Sequence, residues 1–459
     1  MRYQKISQIF VFVGCVGSFI QAVNFLPERS VDSLLTSAGH RQDGLSVDFA
    51  VEYAATLKSS AVGGFYGPWE QHSFGISNSN PQTDLYLSNF SLDALPNSPE
   101  RVQIDQSFYA MRHGINTGFM YQFDGWLFGI CAPWRMVEHR ATISAIAGND
   151  DQGSAAMAQL LTNYFSGEFE DSNPNRLQAA MQNGRLPLPI ERVAGLADII
   201  FMGARKNSTQ SKHFTWHTIG AFARIPINQQ QDQVRVFQPE LSKNMAPEIG
   251  GILIFQLPKA FLGHSHYLQT LQSRVSLYLP YTKILLPMLR SQAWGHAVLV
   301  GTEGMPHLAY AQPLANVLTN NQAIAARASM NLSYRGSLNY NGVICDFHYG
   351  INAEQHEQVV KKMVDKERFG VLAHDFWVGV GGFGENPDDF LSHKRADWLG
   401  EKDFMYGPLQ PALFGQEVGI TLSKKIGCFS WKMAFLLANY PNNRAFDSFS
   451  VQAGINQIF

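Results

Sequence analysis

The residues to question first for chemistry lie in the stretch 379–389, GVGGFGENPDD. Gly379, Gly381 and Gly384 carry the Gly-x-Gly-x-x-Gly spacing that lets a backbone approach a pyrophosphate, a use that needs a strand before it and a helix after it. Glu385-Asn386-Pro387-Asp388-Asp389 follows instead and opens no helix, so the string reads as a glycine-rich loop. Glu385, Asp388 and Asp389 offer hard oxygens suited to calcium but lack an ordered ligand spacing, and they read as a solvated loop. His264, Ser265 and His266 have no carboxylate close in sequence and read as an exposed turn. His217 and His348 sit on strand candidates where a Ser–His hydrolase would need its base, yet neither has a serine in a recognisable motif. No enzyme activity, cofactor or metal is expected.

The cysteines are equally reticent. Cys15 lies in the N-terminal apolar run; Cys131, Cys345 and Cys428 remain, on three separate strand candidates. Alternation places Cys345 on one face and the other two on the opposite face. They read as small buried hydrophobes, with a Cys131–Cys428 bridge left open.

The elements that carry these residues are strands. Only 16% of the 459 residues are charged, 12% are aromatic and 32 are Phe. Yet mean hydropathy is −0.12, and beyond the N-terminus no apolar run is long enough to span a bilayer as a helix. The net charge of −2 gives no reason to expect a nucleic-acid surface. Arg2 and Lys5 precede an apolar run from Ile9 to Ile20, with Ala22 after it, the layout of a secretory signal over residues 1–22.

Period-two patterning recurs along the chain. Val47, Phe49, Val51 and Tyr53 alternate with Asp48 and Glu52; Ile115 to Phe123 and Trp126 to Trp134 flank Asp124-Gly125, a strong hairpin signal. Pro133 in the latter run marks an edge or a bulge. Further strands are expected at 195–206, 213–227, 248–257, 267–279, 323–334, 339–353, 412–422 and 429–439. Tight turns are expected at Asn207–Ser211, Gly263–Ser265, Gly336-Ser337 and Ser423–Gly427. Helical spacing appears in Ser154–Phe165, Arg176–Met181 and the charged run starting at Glu354.

The last stretch, AFDSFSVQAGINQIF, alternates again and ends on Phe459. It resembles the closing strand of bacterial outer-membrane β-barrels, porin-like proteins whose chains end on an aromatic residue. In that family a polar–x–Gly–x–x–hydrophobic–x–aromatic pattern is read by the barrel assembly machinery. Gln452, Gly454 and Phe459 match it, whereas Gln457 stands where a hydrophobic residue is preferred. The resemblance implies an all-β transmembrane antiparallel barrel with outer-membrane lipid around it.

Connection lengths agree with that reading. They alternate long and short, beginning with a long one, as they do when both termini are periplasmic and the long loops are extracellular; only the last outer loop, Tyr440–Arg444, is short. The expectation is a barrel of about twelve strands, with fourteen as the alternative, over residues 45–459. Residues 23–44 would form a periplasmic segment, and large, partly helical insertions are expected near 58–105, 144–194, 281–319 and 354–410. With the aromatic row facing lipid, the opposite row carries Arg135, Arg274, Arg327, Arg335, Asp346, His348, Glu417 and Lys432 as pore-lining candidates. A charge facing lipid at the midplane would cost about 2–4 kcal/mol, which drives these residues inward. Small polar solutes, with a preference for anions, are the expected cargo, and surface adhesion through the loops is the alternative. Folded in detergent, the protein should give a β-dominated circular dichroism spectrum and heat-modifiable gel migration; a helix-dominated spectrum would refute the barrel.

Overall fold

A computed structural model describes residues 44–56, 73–77, 84–85, 101–147, 190–208, 216–227, 239, 241, 246–257, 267–289, 299–302, 312–313, 320–361, 369–371, 397–398, 404–407, 413–439 and 448–458. The expected signal at 1–22, the helical runs at 154–165 and 176–181, the His264 turn and the glycine string at 379–384 lie outside these residues. Twelve strands build the core: β1 (Gly44–Thr56), β2 (Arg101–Phe123), β3 (Trp126–Ala147), β4 (Asp198–Ser208), β5 (Trp216–Pro226) and β6 (Glu248–Leu257). They continue as β7 (Tyr267–Tyr278), β8 (Arg327–Tyr340), β9 (Val343–Glu354), β10 (Leu413–Ile426), β11 (Phe429–Asn439) and β12 (Ser448–Ile458). Each pairs antiparallel with its sequence neighbours.

The ring closes. β1 pairs with β12 in an unbroken register from Ser46↔Ile458 to Thr56↔Ser448. Carried once around the ring, the registers return to β1 displaced by about 14 residues, which for twelve strands gives a tilt of about 40° and a backbone radius of about 12 Å.

Sterics at two tight turns explain two revised boundaries. Asp124 and Gly125 have φ of 46° and 75°, and Asn341 and Gly342 have 50° and 76°, the paired positive values of a type I′ hairpin. The turn expected at Gly336-Ser337 is therefore at Asn341-Gly342, and β8 runs on to add Leu338 and Tyr340 to its outward row. Likewise β10 continues to Ile426, and the turn is Gly427-Cys428, with Gly427 at φ 61°.

Pro133 does mark a bulge. Trp134–Arg140 pair with a separate strand, Ile190–Leu196, whereas Trp126–Cys131 pair with β4. Ala197 lies between these two partners and donates its N–H to the Pro133 carbonyl at 3.0 Å. Strand eight also differs from expectation. Asn320–Ile324 is a distinct strand where one strand over 323–334 was expected, and Ile324 is fully buried because irregular Ala325-Ala326 breaks the alternation before β8. The helix-like run after Glu354 contains a strand, Val359–Lys361, whose β-branched pair sits against the edge of Asn320–Ile324.

The outside is apolar. Leu45, Phe49, Val51, Phe119, Tyr121, Phe123, Trp126 and Phe128 are exposed on β1–β3, and Val418, Ile420, Phe435, Leu437 and Ile455 on β10–β12. Aromatics gather near the turn end at Phe123, Trp126, Tyr340 and Phe429, and near the loop end at Trp134, Tyr53 and Phe449. At a tilt of about 40° those two belts are separated by about 20–25 Å, comparable to an outer-membrane hydrocarbon band. On β3 the outward row turns polar beyond Met136, where Glu138 pairs with Arg140 and Arg192. This is a barrel built inside out, with its apolar side chains on the exterior and its polar ones within.

At the closure seam, a Cβ on Gly454 would lie 3.0 Å from both the Ala50 Cβ and the Phe49 carbonyl. Gly454→Val should therefore destabilise the seam by about 1–3 kcal/mol through overpacking. Urea titration of the heat-modifiable band measures it, and an unchanged midpoint would show the seam is looser than described.

Candidate functional site: the barrel lumen

Inward rows place polar groups from adjacent strands on shared rungs. Glu52, Gly114 and Arg135 are register partners across β1–β3. Gly114 has no side chain, so the acid and the guanidinium lean over it; a Cβ there would lie 3.8 Å from the Glu52 Cβ and 3.7 Å from the Arg135 Cγ. Arg112 is ion-paired with Glu52, and Asn116 donates to the same carboxylate at 3.3 Å. Arg135 lies 3.9 Å from Asp198.

A second network crosses β5 to β9 near the loop end. Arg224 pairs with Glu248 at 2.7 Å, and Ser276 donates to Glu248 and shares a 2.7 Å hydrogen bond with Ser329. The Tyr278 ring takes both guanidiniums, Arg327 at 4.4 Å and Arg224 at 5.4 Å. Arg327 pairs with Glu354 at 2.6 Å and Glu357 at 3.7 Å, while Lys283 (3.6 Å) and the Tyr281 hydroxyl also reach Glu357.

A third set lines β8–β10. Ser333, Gly350 and Glu417 share a rung; His348 Nε2 lies 3.8 Å from Glu417, and Asn352 donates to Glu417 at 2.6 Å. Arg335 is paired with Asp346, and across the closure seam Asn456 donates to Asp48. The turn-end half of β2–β6 is different. Met120, Leu127, Cys131, Ile200, Met202, Ala204, Phe222, Ile252 and Ile254 form one buried apolar cluster on the inward row. Arg274 stacks over Phe222 at 5.8 Å, at its border.

All eight residues singled out from sequence as lining candidates lie on the inward row. Arg135, Arg327, Asp346 and Glu417 are buried, and Arg274, Arg335, His348 and Lys432 are half-buried. Sequence reasoning missed Arg112, Arg224, Glu52, Asp198, Glu248, Glu354 and Glu357. The same alternation rule could have caught Glu52, whose inward row was recognised; Glu357 lies on irregular backbone where no alternation exists. Adding the missed acids changes the electrostatics, because most of the inward arginines face a carboxylate. The cationic excess behind the expected anion preference disappears.

The remaining candidates separate. His217 lies on the outward row, 3.3 Å from the Asn207 amide nitrogen, so it does not share the lumen with His348. Cys131 is buried in the apolar cluster and Cys428 is exposed in a turn, so no disulfide joins them; Cys428 is thus not on the inner strand face expected. Gln452 pairs with Glu52 and Gly454 with Ala50 on β1, while Phe459 lies outside the described residues.

Among the described residues, the connection between β5 and β6 also reaches the inner wall. Leu241, between β5 and β6, is 3% exposed and packs with Val137, Ala197 and Val193. Its carbonyl accepts a 3.3 Å hydrogen bond from Arg135 Nη1.

No protein-family model matches the sequence, and no curated protein matches it. Solved structures similar to the fold include an outer-membrane channel from Pseudomonas putida F1 (9% identity, TM-score 0.39, covering 92% of this chain and 97% of that one). Others are the translocator domain of the autotransporter NalP from Neisseria meningitidis (7%, 0.32, 94% and 94%) and the outer-membrane protease OmpT from Escherichia coli (8%, 0.25, 92% and 100%). Channel, translocator and protease differ in activity, so these distant likenesses speak of architecture alone. What the chain shows by its own registers is a closed, all-β, twelve-stranded antiparallel barrel, the architecture of outer-membrane barrel proteins.

The Arg327 network yields a direct test. Arg327→Ala leaves Glu354 and Glu357 buried without their guanidinium, an uncompensated charge worth about 3–5 kcal/mol. The variant should unfold at lower urea than the parent, and adding Glu354→Gln should recover part of the loss. Equal midpoints for all three proteins would mean that solvent already screens the pair.

Proposed function

We propose that this chain is an integral protein of the bacterial outer membrane, exported by a cleaved signal over residues 1–22 and inserted by the barrel assembly machinery. Its activity is passive, porin-like passage of small polar solutes. The observation that carries the reading is the opposition of its two surfaces: an apolar, aromatic-belted exterior and an inward row that stays polar or charged on most strands. Arg135, Arg274, Arg327, Arg335, Asp346, His348, Glu417 and Lys432 line the path. Twelve strands lie between the eight that side chains can fill and the sixteen that leave an open aqueous pore, so the passage is narrow. Because carboxylates face most inward arginines, ion selectivity is weak.

A second reading draws on β2 and β3. At 23 and 22 residues they outrun the lipid band, and Ser73–Ser77 adds to the projecting edge of β2. Such a blade suits display of the loops to other cells. Deleting residues 362–408, which spares Glu354 and Glu357, separates the two: altered conductance ties that loop to the pore, and lost adhesion at unchanged conductance supports display.

In planar bilayers the refolded protein should give discrete conductance steps, with a reversal potential near zero under a salt gradient. Silence at every voltage would remove the channel reading and leave the barrel intact.

A further inference from the structure

Alternation tells which side chains point inward; burial tells which of them meet water. Among the described side chains, every inward one of β2–β6 is buried except Lys206 at the turn end. The bulky Met120, Leu127, Ile200, Met202, Phe222 and Ile254 fill that side, none of them more than 7% exposed. The wall across from it is built differently. On β8–β12 the inward Arg335, His348, Asn352, Lys432, Gln452 and Asn456 are half-buried. Small residues share their rungs and leave room beside them: Gly419 opposite His348, Ala434 opposite Gln452 and Gly454 opposite Lys432. Arg274, stacked over Phe222 at 5.8 Å, stands where the filled side gives way to the open one.

We propose that solute passes along a strip of the wall at β8–β12 and not down the barrel axis, with Arg335, His348, Asn352, Lys432, Gln452 and Asn456 as its contacts. The proposal rests on the channel reading and deepens it, by separating inward residues that meet solute from those that hold the wall. Buried pairs such as Arg112–Glu52 and Arg224–Glu248 are of the second kind. Charges along the strip are compensated: Arg335 is paired with Asp346, His348 Nε2 lies 3.8 Å from Glu417, and Asn456 donates to Asp48. Such a surface offers both donors and acceptors with little net field, which suits hydrogen-bonding solutes of low net charge.

Thiol labelling of the refolded barrel tests the strip without needing current. Lys432→Cys and Gln452→Cys on the open side, and Thr218→Cys and Met202→Cys on the filled side, are made singly in a background carrying Cys345→Ser and Cys428→Ser. Cys131 is buried and stays in place. A small cationic methanethiosulfonate should modify positions 432 and 452 at least about tenfold faster than 218 and 202, because buried thiols are inert. Mass spectrometry reads the rates, and heat-modifiable migration shows that each variant is folded. Equal rates on the two sides overturn the proposal. In planar bilayers, modification at 432 or 452 should lower the conductance step by about half, while the same treatment leaves Thr218→Cys unchanged. A conducting parent whose steps survive modification at both 432 and 452 overturns the strip and leaves the channel standing. A silent parent overturns the channel reading, and the proposal with it.

Discussion

Backbone hydrogen bonding is the constraint on which the rest of this structure depends. A membrane interior offers no water to an unpaired N–H or C=O, so a sheet can cross it only as a closed ring. The β1–β12 seam meets that demand with a continuous register from Ser46 to Thr56. Its interior rests on small residues as much as on hydrogen bonds. Gly454 lies flat against Ala50, and the Asn456–Asp48 hydrogen bond ties the two strands from the inner side. Once the ring is closed, each strand's two faces acquire opposite solvents, and side-chain chemistry follows.

The inner surface is then an exercise in charge compensation. A lone arginine in a confined lumen would lose much of its hydration, and here most such groups meet a carboxylate on a neighbouring strand. Glu52 with Arg112, Glu248 with Arg224, Glu354 with Arg327 and Asp346 with Arg335 repeat one device around the ring. Antiparallel pairing makes it economical, because residues on facing rungs project to the same side. Glycines at rungs such as Gly114 and Gly350 give long polar side chains room to converge over a bare backbone.

Departures from regular pairing are concentrated where something other than the wall must be held. The Ala197 bulge and Gly195 make the hollow that receives Leu241. The irregular Ala325-Ala326 step lets Asn320–Ile324 leave the barrel surface and join Tyr281–Leu289 and Val359–Lys361 in a separate sheet above it. That sheet carries Lys283 towards Glu357, and Glu357 back to Arg327, so the wall and the structure above it share one charge network.

Much of this was legible in the amino-acid sequence, for a physical reason. Alternation has a period of two on any strand, so Phe119, Tyr121 and Phe123 declared their common face before any partner was known. Asp124-Gly125 declared a turn because its positive φ values suit those two residues. Strand number and the inward direction of Arg327 or Glu417 needed little more. The partner of each charge was not legible, since Arg112 meets Glu52 only after register and tilt set which rungs align. Asn341-Gly342 suits a turn as well as Gly336-Ser337 does, and only the register chooses between them. The place of Leu241 was beyond sequence altogether: it has no period, and its seat is assembled from a bulge, a glycine and an arginine on two other strands. Local patterning determined which way each strand faces, and only the closed ring decided what stands opposite what.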